Sequence, residues 1–175
     1  MQIRKAVAAD LADIQAIVQE GRERLVERGI PQWRNNDGPN REVLTKDIQQ
    51  EEGYVLIVDN HIIGYGTITQ GEQAGYEPII GGQWDFCETD DVSIHRVVVS
   101  STKLVKGAGH FLLQSLVHEA IRLGHQDLRI DTHPLNIPMQ SLIIKIGFEL
   151  KGNIHLPVSN GERLAFQMIE KTTLP

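Results

Sequence analysis

The chain has 175 residues, 41% of them hydrophobic and 23% charged, with a net charge of −6 at neutral pH. That length suits one domain, residues 1–175, with a full-sized core. No apolar run approaches the ~20 residues that span a bilayer, Met1-Gln2-Ile3-Arg4-Lys5 lacks the apolar stretch of a signal peptide, and the scattered basic residues argue against nucleic acid as a partner.

Ile3 and Ala6-Val7 predict a short first strand. Leu11, Ile14, Ile17, Val18 and Leu25 then recur at helical spacing, and Gly29 is placed to stop that helix. Gly21 lies inside it, at a helix cost of about 1 kcal/mol relative to alanine, which points to a bend or a close approach by another segment. Residues 29–39, "GIPQWRNNDGP", are rich in turn formers and read as a loop. A short helix from Asn40 would turn Val43, Leu44 and Ile48 inward.

"YVLIV" (54–58) and "HIIGYGTIT" (61–69) read as strands joined by a tight Asp59-Asn60 turn. Residues 71–90 show no periodicity, and a connection of that length in a compact domain is often functional. "VSIHRVVVS" (92–100) has the strongest strand character in the chain. Leu112, Leu113, Leu116, Val117 and Ala120 define the next helix, ending at Gly124. "DLRIDTH" (127–133) is a strand, and Pro138, Met139, Leu142, Ile143 and Ile146 form a further helix stopped by Gly147. "FELKG" and residues 162–170 close the chain as strands. This α/β (α+β) order predicts a mixed, mostly antiparallel sheet flanked by helices, with 92–133 as a parallel crossover.

Chemistry concentrates in "VVVSSTKLVKGAGHFLLQSL" (97–116), where a β-branched run meets a helix start. The first amides of a helix lack partners and carry the positive end of its dipole. Gly107 and Gly109 let an anion approach those amides, and Lys103 and Lys106 add positive charge in an acidic chain. The features describe a phosphate site, most economically for a pyrophosphate. A simple strand-to-helix turn explains the glycines equally well at this level. Neither a Walker-type Gly-x4-Gly-Lys-Ser/Thr nor a dinucleotide Gly-x-Gly-x-x-Gly pattern is present.

The stretch resembles motif A of the GNAT-family N-acetyltransferases, Arg/Gln-x-x-Gly-x-Gly/Ala, on Leu104-Val105-Lys106-Gly107-Ala108-Gly109. The expected Arg or Gln is Leu104. "HPLNIPMQSLIIKIGFELKG" (133–152) resembles motif B through Asn136, Leu142, Gly147 and Phe148, with Ile143 where the family has Tyr. The resemblance extends over nearly the whole chain, because the element order is also the family's. It implies a GNAT fold in which strands 92–100 and 127–133 splay and acetyl-CoA lies between them. Val97, Val98 and Val99 would pair with the pantetheine arm. Leu104, Val105, Lys106, Gly107, Ala108, Gly109 and His110 would hold the pyrophosphate, with Asn136 also at the cofactor. A backbone amide near Val97–Val98 would polarise the thioester oxygen. The implied reaction is direct attack on acetyl-CoA by a primary amine, small molecule or protein N-terminus, without a metal or membrane partner. The bulk negative charge favours a cationic acceptor. A monomer or a homodimer fits equally.

A base is needed if the amine arrives protonated. His95 is the candidate, on a strand face shared with Ser93 and Val97, with an ordinary imidazole pKa suited to the task. A packed histidine is the bland alternative, and Glu77, Asp90 and Asp91 are rivals. Ile143 cannot protonate the departing thiolate, which must leave unassisted or use another group. The missing Tyr and Arg/Gln keep open a non-catalytic acyl-CoA-binding or sensing domain. Trp33, Tyr76 and Trp84 sit in loops expected to flank the acceptor entrance and form its pocket, with packing under a loop as the competing role. His110 and His118 share a helix face but lie ~12 Å apart along it, and His133 with Asp131 lacks a third ligand, so no metal site is expected. Cys87 is the lone cysteine, which excludes an internal disulfide, fits a cytoplasmic setting and reads as a packed side chain.

Overall fold

The stripes and runs named above fold into the predicted order in this computed structural model, which describes residues 1–35 and 37–170. Residues 171–175 of the expected domain lie outside the described residues. The elements are β1 (Gln2–Lys5), α1 (Leu11–Glu27), α2 (Arg41–Gln49), β2 (Gly53–Val58), β3 (His61–Gln70), β4 (Asp91–Val99), α3 (Ala108–Arg122), β5 (Asp127–Thr132), α4 (Ile137–Ile146), β6 (Glu149–His155) and β7 (Glu162–Ile169). A single 3-10 turn, Ala8–Asp10, precedes α1 and takes up Val7 as its cap, so β1 ends sooner than its apolar residues suggest. Asp59 and Asn60 both adopt positive φ, 47° and 63°, the tight hairpin turn that matches strand twist. Asn40 caps α2 by accepting from the Val43 amide at 2.9 Å.

One seven-stranded sheet runs β1-β2-β3-β4-β5-β7-β6. β4 and β5 are parallel, while every other neighbouring pair is antiparallel. The helices cover two faces. α3 brings Leu112, Leu113, Leu116, Val117 and Ala120 onto Val92, Ile94, Leu128, Ile130 and Phe166. α1 and α2 bring Ile14, Ile17, Val18 and Leu44 onto Val55, Tyr65 and Val98 from the other side. Burying each such aliphatic side chain contributes about 1.5–3 kcal/mol, so two filled faces hold the sheet as a rigid partition. Gly21 meets a side chain: a Cβ there would stand 2.6 Å from Val98 Cγ2, so the glycine lets α1 lie close on β4.

Two local events open the partition at one place. The β4–β5 register stops at Ile94↔Ile130, although both strands continue. In the β3–β4 register Tyr65 faces Val98 but Thr67 faces His95, so β4 carries an extra residue opposite Gly66. Arg96 takes φ 57° there, a conformation costing roughly 1–3 kcal/mol for a residue with a Cβ. A bulge bends its strand and increases its twist, and the end of β4 swings away from β5. The bulge also corrects a sequence expectation. Plain alternation would put Val97 with His95, but Val97 packs with the α3 face and Val98 with the α1 face.

Candidate active site

The splayed strand ends enclose a cavity of about 240 Å³. Its walls come from Ile94 to Val99 of β4, Ile130 to Thr132 of β5, the second half of α1, the 29–39 loop, and Asn136, Met139 and Leu142. Past Ile94, no strand among the described residues pairs with β4 on its β5 side. The backbone of Val97, Val98 and Val99 is therefore an open edge toward the cavity, the kind an extended ligand can join.

Beyond that edge the chain turns into α3. Gly107 is its N-cap, at φ 81° and without a side-chain cap. The amide of Ala108 bonds to Val105 O and that of Phe111 to Gly107 O. Among the described residues no acceptor is found for the amides of Lys106, Gly107, Gly109 and His110. The two glycines serve differently. A Cβ on Gly107 would meet nothing within 4 Å, so its backbone conformation is what demands glycine. A Cβ on Gly109 would find its nearest neighbour, Leu142 Cδ2, at 3.9 Å and would project where Gly109 lines the cavity. Leu104 is 79% exposed and presents no polar group in place of the expected Arg or Gln.

The approach to this turn is held from α1, a contact no local pattern reveals. The Glu20 carboxylate accepts from Ser100 Oγ (2.8 Å), the Ser101 amide (2.6 Å) and Thr102 Oγ1 (3.0 Å). Burial raises its pKa, but the bonds from Ser100, Ser101 and Thr102 together outweigh burial and hold it down to about 2.

On the α1 side of the sheet, His95 joins a buried polar cluster. Its Nδ1 stands 3.6 Å from Asp131 Oδ1 and its Nε2 3.1 Å from Gln73 Oε1. Asp131 also accepts from Tyr76 OH at 2.8 Å and faces Arg163 Nε at 3.4 Å. Burial chiefly, with Arg96 adding to it, pushes His95 down to about 4 against the opposing pull of Asp131. The expectation of an ordinary imidazole pKa is thus corrected: the low dielectric around the ring disfavours the cation. The ring is neutral at pH 7, yet both nitrogens face an oxygen that could accept an N–H from the protonated form.

The rival carboxylates are elsewhere. Glu77, Asp90 and Asp91 line a second cavity of about 630 Å³ with His125 and Arg129. Asp91 begins β4, four residues before His95, about 13 Å along a strand. Of the aromatic residues expected at the acceptor entrance, Trp33 lines the cleft. Tyr76 and Trp84 do not. Tyr76 is 3% exposed and backs His95 in an edge-on contact at 5.8 Å. Trp84 stacks on Tyr76 and carries Arg129 over its ring at 4.5 Å. Their apolar bulk seals the floor behind Asp131. Asn136 lines the cleft and donates to Gln32 Oε1 at 3.2 Å, linking α4 to the 29–39 loop. Ile143 is fully buried in the core. His133 Nδ1 accepts from the Leu135 amide, and no group of three potential metal ligands occurs among the described residues. No helix among them is long and apolar enough to cross a membrane. Gln73, Arg163 and Glu20 were not singled out from sequence, and Asp131 was weighed there only as a metal ligand; their partners lie 55 to 82 residues away for the contacts Tyr76–Asp131 and Glu20–Thr102.

The model of the Acetyltransferase (GNAT) family matches residues 22–148. Among solved structures, a GNAT-family acetyltransferase from Streptococcus agalactiae 2603 is 30% identical, with 98% of this chain and 96% of that one covered at a TM-score of 0.83. The yncA protein of Salmonella typhimurium, solved with its cofactor acetyl-CoA, is 19% identical over 100% of this chain and 97% of that one, at a TM-score of 0.64. An aminoglycoside acetyltransferase, AAC(6')-Ib, solved with coenzyme A and kanamycin, is 18% identical over 97% and 94%, at a TM-score of 0.67. No curated protein matches in sequence.

Proposed function

The chain belongs to the GNAT acetyltransferase family, and on that premise we propose that residues 1–175 act as one N-acetyltransferase domain moving an acetyl group from acetyl-CoA to a primary amine. One observation carries the reading: an open strand edge at Val97–Val99 leads directly to a turn whose amides lack partners. Gly109 supports the fit, because it lines the cavity beside those amides and a Cβ there would meet nothing nearer than Leu142 Cδ2 at 3.9 Å.

Acetyl-CoA supplies an acetyl group on a thioester whose C–S bond breaks as the C–N bond to the amine forms, the electron pair leaving on sulfur. Val97, Val98 and Val99 bind the extended arm through their backbone. Leu104 to His110 hold the pyrophosphate, with Asn136 across the cleft. An amide at the bulge, near Val97–Val98, polarises the acyl oxygen. Trp33 bounds the acceptor's space, and His95 takes its surplus proton. A base of pKa about 4 is a poor partner for a free ammonium. It serves once the nitrogen has bonded to the acyl carbon and its N–H has become acidic: the acceptor takes the place of Gln73 at Nε2, and Asp131 holds the Nδ1–H. The α4 residues that line the cleft, Pro138, Met139 and Leu142, carry no hydroxyl, so none of them would protonate the leaving sulfur. A thiolate whose parent thiol has a pKa of about 8.5 departs without one.

Calorimetry with acetyl-CoA and thiol release with a panel of amines test this directly. Binding with turnover supports it; absence of acetyl-CoA binding overturns it. A second reading, a non-catalytic acyl-CoA-binding domain, is favoured by the burial of Ile143, and binding without turnover on any amine would establish it.

A further inference from the structure

The charges on the cleft wall narrow the acceptor. Arg24 and Arg28 both line the cavity. Arg24 is in the last turn of α1 and Arg28 is its C-cap, four residues on and about 6 Å farther along the axis. Two like charges at that spacing weaken a helix, and no partner offsets them among the described residues. Glu20, one turn before Arg24, directs its carboxylate to Ser100, Ser101 and Thr102. Glu23 accepts from Gln19 instead. The other charges in the cleft are matched: Arg96 Nε lies 3.4 Å from Asp47, and Asp131 faces Arg163 at 3.4 Å. The cleft therefore carries two guanidinium groups that have the end of the α1 dipole beside them but no carboxylate partner among the described residues, in a chain whose net charge is −6.

Arg24 and Arg28 share the cleft with Gly109 of the glycine turn but reach it from the other face of the sheet. α1 packs with Val98 and Tyr65, on the sheet face opposite α3. α1 presents Gly21, Arg24 and Leu25 to the cleft and Arg28 follows as its cap, with Glu20 before them fixed at Ser101 and Gln32 after them fixed at Asn136. This is also the face that carries His95 and Trp33.

Resting on the transferase reading above, we infer that the acceptor is a small amine that also bears a carboxylate, held by Arg24 and Arg28 while its amino group points toward the bulge and His95. Guanidinium groups suit the task because they bind carboxylates bidentately and stay charged. The cleft, about 240 Å³ in all, is shared with the arm laid along Val97–Val99, so the space left beside it suits a small acceptor. A polycationic amine meets two repelling charges at the entrance, whatever the chain's overall charge suggests.

The test compares the common amino acids, each against its own carboxamide, and kanamycin, by thiol release from acetyl-CoA and by calorimetry of the preferred acid in saturating CoA. The expected result is at least one acid accepted with kcat/KM ≥10-fold above its amide. R24Q/R28Q should raise KM for that acid about 10-fold, weaken its calorimetric binding by the same factor, shrink the acid-to-amide preference to within about 2-fold, and leave KM for acetyl-CoA unchanged. The inference is overturned if the amides or kanamycin are preferred, if no acid is accepted, or if the double variant raises KM for acetyl-CoA instead, which would assign the arginines to the cofactor's phosphates. Loss of acetyl-CoA binding in the unmodified protein defeats the transferase reading itself; intact binding without a preference for acids defeats only this inference.

Discussion

His95 Nδ1 faces Asp131 Oδ1 at 3.6 Å, one residue beyond Ile94 and Ile130, where β4 and β5 cease to pair. Two strands that stayed parallel would bury this pair between them. The Arg96 bulge opens the gap, and the imidazole becomes part of a cavity wall.

If His95 receives the acceptor's proton, His95→Ala lowers kcat about 100-fold, within the usual range for a lost general base, while calorimetric affinity for acetyl-CoA stays the same. Asp131→Asn lowers kcat less, and the double variant falls no further than His95→Ala, because Asp131 acts through the ring. Additive losses would show that the two act separately.

The low pKa of His95 predicts a pH dependence of stability. The folded pKa, about 4, lies below the imidazole's ordinary value of 6.5, so the unfolded chain binds the extra proton first. The neutral ring's contribution is fully present above pH 6.5 and is lost as pH falls toward 4. Denaturant titrations of the protein and His95→Gln should therefore converge by roughly 2–3 kcal/mol between pH 7 and pH 4. A pH-independent difference would place the ring in water.

Glu20→Gln removes the charge that gathers Ser100, Ser101 and Thr102 and should lower stability by about 1–3 kcal/mol. The melting temperature should fall several degrees. If residues 104–110 hold the pyrophosphate, acetyl-CoA affinity should drop as well, since they follow directly. Unaltered affinity would mean that the turn is held from its α3 side alone.

The two glycines of the turn should respond in opposite ways. Gly107→Ala places a Cβ at φ 81°, costing about 1–2 kcal/mol, with some acetyl-CoA binding retained. The Cβ of Gly109→Val meets only an ordinary contact with Leu142, so the melting temperature should fall little while acetyl-CoA affinity falls at least 100-fold. Equal affinity in the Gly109 variant would contradict the cradle.

Ile143→Tyr does not restore a proton donor. The position is fully buried in the α3-side core, so the larger ring overpacks it, at about 1–3 kcal/mol, without raising kcat. A gain in turnover would show that the side chain reaches the cleft.

The element order, the hairpin turn, the inward stripe of α3 and the glycine turn at 107–109 were legible in the sequence because each arises from residues close together in the chain. Apolar spacing selects helix or strand, and a positive φ selects glycine or Asn. Alternation failed at Val97 because a bulge adds a residue without a local signature strong enough to reveal it. His95 was found as a residue but not as a weak base, since its pKa depends on burial beneath Tyr76 and beside Asp131. The sequence does not tell that Tyr76 and Trp84 lie outside the cleft, because their loop has no periodicity to say which way it folds.

The sequence by itself determined the fold and the glycine turn that opens α3, where local sterics and hydrophobic period leave few choices. Only the tertiary structure decided which charges are neutralised: Glu20 at Ser101, Asp131 at Arg163 and Arg96 at Asp47, with Arg24 and Arg28 left over. Electrostatic energy depends on distance through space and on burial, and neither is a property of position along the chain.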